Sequence, residues 1–271
     1  MTKIAAVQMA SGSNVSSNLI EVKRLIQASV KAGAGLVVLP ENFAIMGMTE
    51  QDKVLIREPL GSGQIQEFLA QQAIELNVWI VAGTIPILTD DENLIRATCL
   101  VYNNEGIVVG RYDKIHLYDV DVPESNDTYR ESETIEPGTD ICVVDSPVGR
   151  MGIAVCYDLR FPELFRRLGE LKVDIFVVPS AFTAITGKAH WETLLKSRAI
   201  ENLSYVVASA QGGFHVNGRE THGHSMIIDP WGVILDELPS SSGFVISEID
   251  LTKINNIRKI FPVLQHRKLK V

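Results

Sequence analysis

The chain has 271 residues, 46% of them hydrophobic and 21% charged, which excludes a disordered or fibrous protein and allows a sizeable core. Its formal net charge of −8 argues against a general nucleic-acid surface. An anionic small molecule would have to be met by a few local cations.

Residues 4–9 read as a strand, and no apolar stretch of signal-peptide or membrane-spanning length precedes or includes them. A cytoplasmic protein with no membrane partner is therefore expected. Residues 18–32 place Leu19, Val22, Leu25, Ile26 and Val30 on one helical face, with Gly33 as the stop. A second strand, 36–39, ends at Pro40. A helix over 65–76 and a strand over 78–82 follow. Residues 96–102 and 106–112 read as a hairpin joined by the polar turn at 103–106. The segment 116–139, rich in Asp, Glu, Ser, Pro and Asn, reads as a long ordered loop, a kind that is usually functional. Beyond it come a strand (151–155), a helix (161–171), a strand (173–178), a helix (190–202) and a strand (205–209). Strands 225–228 and 233–235 pair across Pro230-Trp231-Gly232, and a strand (244–249) and a helix (251–260) close the pattern. So many strands overload one open sheet, so the expected fold is a layered α/β sandwich of two sheets, 1–271 forming one domain.

Beyond each of three apolar runs stands one reactive side chain. GLVVLPENF delivers Glu41, VVGRYDKIHLYD delivers Lys114, and GIAVCYD delivers Cys156. An acid, an amine and a thiol at strand ends can converge on one sheet edge. Singly, each has a plainer reading: a solvated acid, a snorkelling lysine, a core cysteine. A catalytically silent sandwich used as a binding module is the reading from another class, and the intact set of three argues against it. The three cysteines, Cys99, Cys142 and Cys156, are odd in number and lack CxxC spacing, which argues against a disulfide framework or structural zinc.

The motifs LPENF, DKIHL and CYDLRFPEL, in that order, resemble the nitrilase-like carbon–nitrogen hydrolases, and the resemblance covers essentially the whole chain. It implies a four-layer αββα sandwich and a catalytic triad of Glu41, Lys114 and Cys156, with no cofactor. In that chemistry the thiol attacks an amide carbon and forms a thioester, with Glu41 moving the protons. Lys114 and the Tyr157 backbone N–H would face the oxyanion. A turn opening into the helix after Phe161 is expected to favour the thiolate through exposed N–H groups. The family carries a second glutamate after the lysine. YRESETIEPG offers Glu131 as the match, with Glu133 and Glu136 as competitors. The resemblance further implies a homodimer or higher homo-oligomer through helices flanking the Cys156 region.

The second half, PSAFTAITGKAHWE through AQGGFHVNGRETHGHSM, is similar to one branch of that family, the deaminated glutathione amidases. These cleave the amide of a glutathione whose glutamyl amine has become a ketone, giving 2-oxoglutarate and cysteinylglycine. The sister omega-amidases, acting on 2-oxoglutaramate, share TG-AHWE and FPEL and generally lack the continuation at 210–226. A nitrile-hydrolysing enzyme would use the same triad.

A 2-oxo acid amide as the small-molecule partner brings a carboxylate, whose burial needs a cation or several donors. Arg160 is the candidate, against the plainer reading of an internal ion pair with Asp158 or Glu163. Phe182 would form an apolar wall and Thr186 a hydroxyl donor. Trp191, at helical spacing with Leu194, Leu195 and Ala199, reads as core. His222 and His224 would share a strand face, with His215 nearby. Lacking a carboxylate or thiol at metal-ligand spacing, they are expected to line the substrate entrance and to hold no metal.

Overall fold

The computed structural model describes residues 2–122 and 127–269. Strand Lys3–Gln8 shows in miniature why the molecule is layered. Its side chains alternate, with Ile4 and Ala6 in one apolar cluster and Ala5 and Val7 in another, all fully buried. A strand buried on both faces needs a packed layer on each side.

One sheet has seven strands. Six run in the order Gly243–Glu248, Lys3–Gln8, Ala34–Val38, Trp79–Val81, Ile95–Tyr102, Ile85–Leu88, and Val108–Asp113 also pairs with Ile95–Tyr102. The other has six, in the order Ile234–Leu238, Ser225–Ile228, Tyr205–Ala210, Ile175–Ser180, Gly149–Ile153, Cys142–Ser146. Ala5 and Val7 share a cluster with Val22, Leu25 and Ile26 of helix Val15–Lys31 and with Leu69 of helix Gln64–Leu76. Ile4 and Ala6 belong to the cluster that holds Val206 and Ala208 of the second sheet, with Phe165 and Leu195 from helices Pro162–Glu170 and Ala184–Asn202. The result is helix, sheet, sheet, helix: the four-layer αββα sandwich. Among the described residues, no helix is long and apolar enough to cross a membrane.

Most expected elements appear with ends shifted by up to three residues. The largest shift is in helix Ala184–Asn202, which begins six residues earlier than the apolar spacing indicates. Thr183 caps it by accepting from the Thr186 N–H, and Gly187 sits inside it. A Cβ on Gly187 would lie 2.3 Å from the His222 side chain, so packing explains a residue that helix propensity disfavours. Three strands carry no clear alternation and were not expected: Ile85–Leu88, which tolerates Pro86 because it is an edge strand, Cys142–Ser146 at the edge of the second sheet, and Gly212–Phe214 in a two-stranded hairpin. The loop expected over 116–139 holds a small hairpin, Asp119–Asp121 with Thr128–Arg130, and a 3-10 turn, Glu131–Glu133.

Candidate active site

Glu41 is positioned by the end of strand Ala34–Val38. The Leu39 N–H still donates to Val81 O (2.9 Å), and Pro40 then ends the ladder. Asn42 adopts a left-handed φ of 57°, with its N–H bound to Thr84 Oγ1 (2.9 Å), and Gln211 Nε2 donates to Glu41 O (3.0 Å). Gly83 makes room for this turn: its φ is +52°, and a Cβ there would lie 2.0 Å from Pro40 O.

Lys114 stands one residue past strand Val108–Asp113, its N–H bound to Ala97 O (3.0 Å). Its side chain is fully buried. Nζ donates to Glu41 Oε1 at 2.8 Å and to both Glu131 oxygens at 2.9 and 2.7 Å. Glu131 also accepts from the Tyr118 N–H (2.8 Å). Of its two competitors, Glu133 is exposed and Glu136 pairs with Arg96.

Cys156 follows strand Gly149–Ile153 and opens the 3-10 turn Cys156–Arg160 with φ 49°, a left-handed conformation that costs energy in a residue with a Cβ. Asp158 holds that turn in place. Fully buried, it accepts from the Val155 N–H (2.8 Å), Tyr112 Oη (2.6 Å) and the His116 N–H (3.1 Å), and its Oδ1 lies 2.6 Å from His116 Nδ1. The His116 ring stacks on Phe161 at 3.7 Å, and the Tyr157 ring packs edge-on against Tyr118 and Phe161.

Burial sets the protonation states here, modulated by the three charges. For Glu41, burial pushes the carboxyl up, but the Lys114 ammonium outweighs it. Its hydrogen bonds from Lys114 and the Cys156 thiol help hold Glu41 below its ordinary 4.5. For Lys114, burial opposes the charge, while Glu131 and Glu41 together drive its pKa well above the usual lysine range. Burial and the Glu41 charge push the Cys156 thiol well above 9.0, against the opposing pull of Lys114. The expectation that a helix terminus favours the thiolate is therefore corrected. The helix begins at Pro162, six residues past the thiol, so its dipole reaches Cys156 weakly. The resting set is a neutral thiol hydrogen-bonded to a charged carboxylate. Such a set can activate the sulfur by proton transfer at the moment of attack.

Cys156, Glu41 and Glu131 line a narrow cleft of about 320 Å³, counting the space open to solvent, together with Arg160, Phe182 and Thr186. Arg160 forms no ion pair with Asp158 or Glu163, because the Asp158 oxygens are already taken. Its Nη1 lies 3.1 Å from His190 Nδ1, and the guanidinium sits 5.3 Å from the Phe182 ring centroid. Phe182 packs on Trp191, which is buried and donates Nε1–H to His224 O (2.8 Å). The Thr186 hydroxyl lies 2.8 Å from that of Thr183. The histidines do not line the entrance. His215 is buried between Ser11 O and Thr221 Oγ1. His222 and His224 stack on each other at 4.3 Å, and His224 meets Glu237. Gly223 and His224 have positive φ, so the strand ends at His222 and no shared strand face exists. Among the described residues no group of three or more His, Cys, Asp or Glu side chains could hold a metal ion. Asn42, Tyr118 and Arg219 also line the cleft. Sequence reasoning missed them, since Asn42 looks like a turn residue and Arg219 like a solvated hairpin tip.

Residues 3–259 match the family described as carbon-nitrogen hydrolase. The chain belongs to the carbon–nitrogen hydrolase family. A Synechocystis protein named deaminated glutathione amidase is 43% identical over 97% of both chains. A human protein of the same name is 36% identical, over 98% of this chain and 82% of that one. Among solved structures, the C. elegans NitFhit protein superposes with a TM-score of 0.92 at 34% identity. The match takes in 98% of this chain but only 65% of that longer one. Saccharomyces cerevisiae Nit3, described as a member of branch 10 of the nitrilase superfamily, gives 0.88 at 29% identity, covering 99% of this chain and 97% of that one. As a carbon–nitrogen hydrolase, the chain acts on carbon–nitrogen bonds.

Proposed function

We propose that the chain is an amidase that hydrolyses deaminated glutathione to 2-oxoglutarate and cysteinylglycine through a thioester on Cys156. The observation that carries this reading is the buried Lys114 ammonium held between Glu41 and Glu131, the two carboxylates that line one cleft with the Cys156 thiol. Relatives of that name at 36–43% identity over nearly the whole chain support the choice of substrate.

Glu41 takes the thiol proton as sulfur bonds to the amide carbon. An ammonium has three donors, and in the resting site they face one Glu41 oxygen and both Glu131 oxygens, so Lys114 meets the developing oxyanion through its charge and by giving up one Glu131 oxygen. The Tyr157 N–H is the second oxyanion donor. Collapse of the tetrahedral species breaks the carbon–nitrogen bond, and Glu41 returns the proton to the departing amine. A water then gives a proton to Glu41 and its oxygen to the thioester carbon. The carbon–sulfur bond breaks, and the thiol recovers its proton. Arg160, which pairs with no carboxylate among the described residues, binds the carboxylate of the 2-oxo acid half, with Phe182 as its apolar wall and Thr186 as a hydroxyl donor.

The test is steady-state hydrolysis of deaminated glutathione and of 2-oxoglutaramate by one preparation. A higher kcat/KM on deaminated glutathione is expected. The reverse order would move the chain to the omega-amidases, and cleavage of neither would overturn the reading.

A further inference from the structure

The catalytic cleft opens into two vestibules, each with an arginine at its inner end. Toward one side, Arg160, Tyr118, Tyr157 and Thr186 also line a recess of about 500 Å³, counting the space open to solvent, that includes His190. Toward the other, Thr183 and Arg219 also line a larger groove of about 1340 Å³, counting the space open to solvent. An amide has two halves, so a substrate whose carbonyl carbon sits at Cys156 must send one half each way.

We propose that the larger groove is the binding site for the amine half of the amide, and that Arg219 recognises a carboxylate carried on that half. This rests on the amidase reading above. Arg219 is delivered to the junction by the hairpin Gly212–Phe214 with Glu220–His222. Its Nη2 donates to Ala181 O, and its guanidinium lies 4.9 Å from the Tyr129 ring centroid. Those contacts fix the plane of the fork without neutralising it. Among the described residues it forms no salt bridge, although the Glu50 and Glu41 charges act on it from a distance, and its Nε is buried without an acceptor. A guanidinium held flat, partly buried and unpaired beside a cleft is poised for an anion, because such a charge is costly until it is matched. Of the other charged groups of the groove, Glu50 is paired with Lys53, and Asp127 and Glu220 are exposed, where salt and water screen them. The groove also offers Tyr129, Ile185 and Phe214 as apolar surface for a side chain. A dipeptide ending in a free carboxylate fits these features. Ammonia, the amine half of 2-oxoglutaramate, would use none of them.

The experiment compares deaminated glutathione with the same molecule bearing a terminal carboxamide, on the unaltered protein, Arg219→Gln and Arg219→Lys. The unaltered protein should prefer the carboxylate by roughly tenfold or more in kcat/KM, the worth of one charge-assisted hydrogen-bonded pair. Arg219→Gln should abolish that preference, and Arg219→Lys should keep part of it. An equal preference in the unaltered protein and Arg219→Gln overturns the assignment of Arg219 while leaving the amidase reading in place. Failure of the unaltered protein to cleave either compound overturns both. Circular dichroism of each variant separates loss of fold from loss of recognition, since a merely structural arginine would lower both rates by the same factor and leave their ratio untouched.

Discussion

Lys114 sets three ammonium protons against three carboxylate oxygens at one point, and that compactness governs what replacement does. Arginine keeps the charge but spreads it over a planar fork that cannot fit where Glu41 and Glu131 both lie within 2.9 Å of one nitrogen. Lys114→Arg should therefore lose activity nearly as fully as Lys114→Ala in steady-state assays; near-normal turnover would make Lys114 a structural ion pair. The protonation states fix a pH profile as well. As the proposed base, Glu41 would have to be ionised to accept the thiol proton, and its pKa is held below 4.5, so kcat/KM should fall only as pH drops below that value. Cys156 and Lys114 are both raised above their ordinary 9.0 and 10.5, so no alkaline loss is expected between pH 6 and 9. The same depressed Glu41 pKa stabilises the fold above 4.5 and ceases to do so as pH falls through it. An acid limb near neutrality would contradict this assignment of the base. Arg160→Lys should raise KM for deaminated glutathione by about tenfold through loss of bidentate geometry. Its melting temperature should stay close to that of the unaltered protein, because Arg160 forms no ion pair among the described residues. A large melting shift with unchanged KM would remove Arg160 from the binding site.

Elements matter here chiefly through the turns that end them. Gly83→Ala would drive a methyl into Pro40 O and strain a positive φ, at a cost of about 2 kcal/mol or more. Because Pro40 is bonded to Glu41, kcat should fall with stability; wild-type kcat in a folded Gly83→Ala protein would show that the turn is not coupled to the site. Asp158→Ala would leave the Val155 N–H, the Tyr112 hydroxyl and the His116 N–H unmatched at the turn that presents Cys156. Thermal denaturation should register roughly 3 kcal/mol or more of lost stability. The strand ends were legible in the sequence because apolar runs stop at Pro40, Asp113 and Cys156. Asp158 was legible only as a charge. Beyond the Val155 N–H, its polar partners are Tyr112 and His116 on another segment, which no local pattern reveals. The histidines misled for a related reason: Gly223 and His224 turn the chain out of the strand, so alternation along it ceases.

Across the whole fold, two sheets packed back to back bring Glu41 and Lys114 from one sheet against Cys156 from the other. The layered architecture follows from apolar strands that need cover on both faces, which the sequence displays in strand Lys3–Gln8 and its neighbours. The vestibules were not legible, because they form between segments distant in the chain, such as Tyr129, Thr183 and Arg219. Whether Cys156 carries the acyl group is decided by hydrolysis of deaminated glutathione by the unaltered protein and by Cys156→Ala, with matched melting temperatures. With the thioester route closed, turnover should fall by about 1000-fold or more, roughly 4 kcal/mol of barrier. A folded Cys156→Ala protein that keeps more than a few per cent of the activity would rule out the thioester.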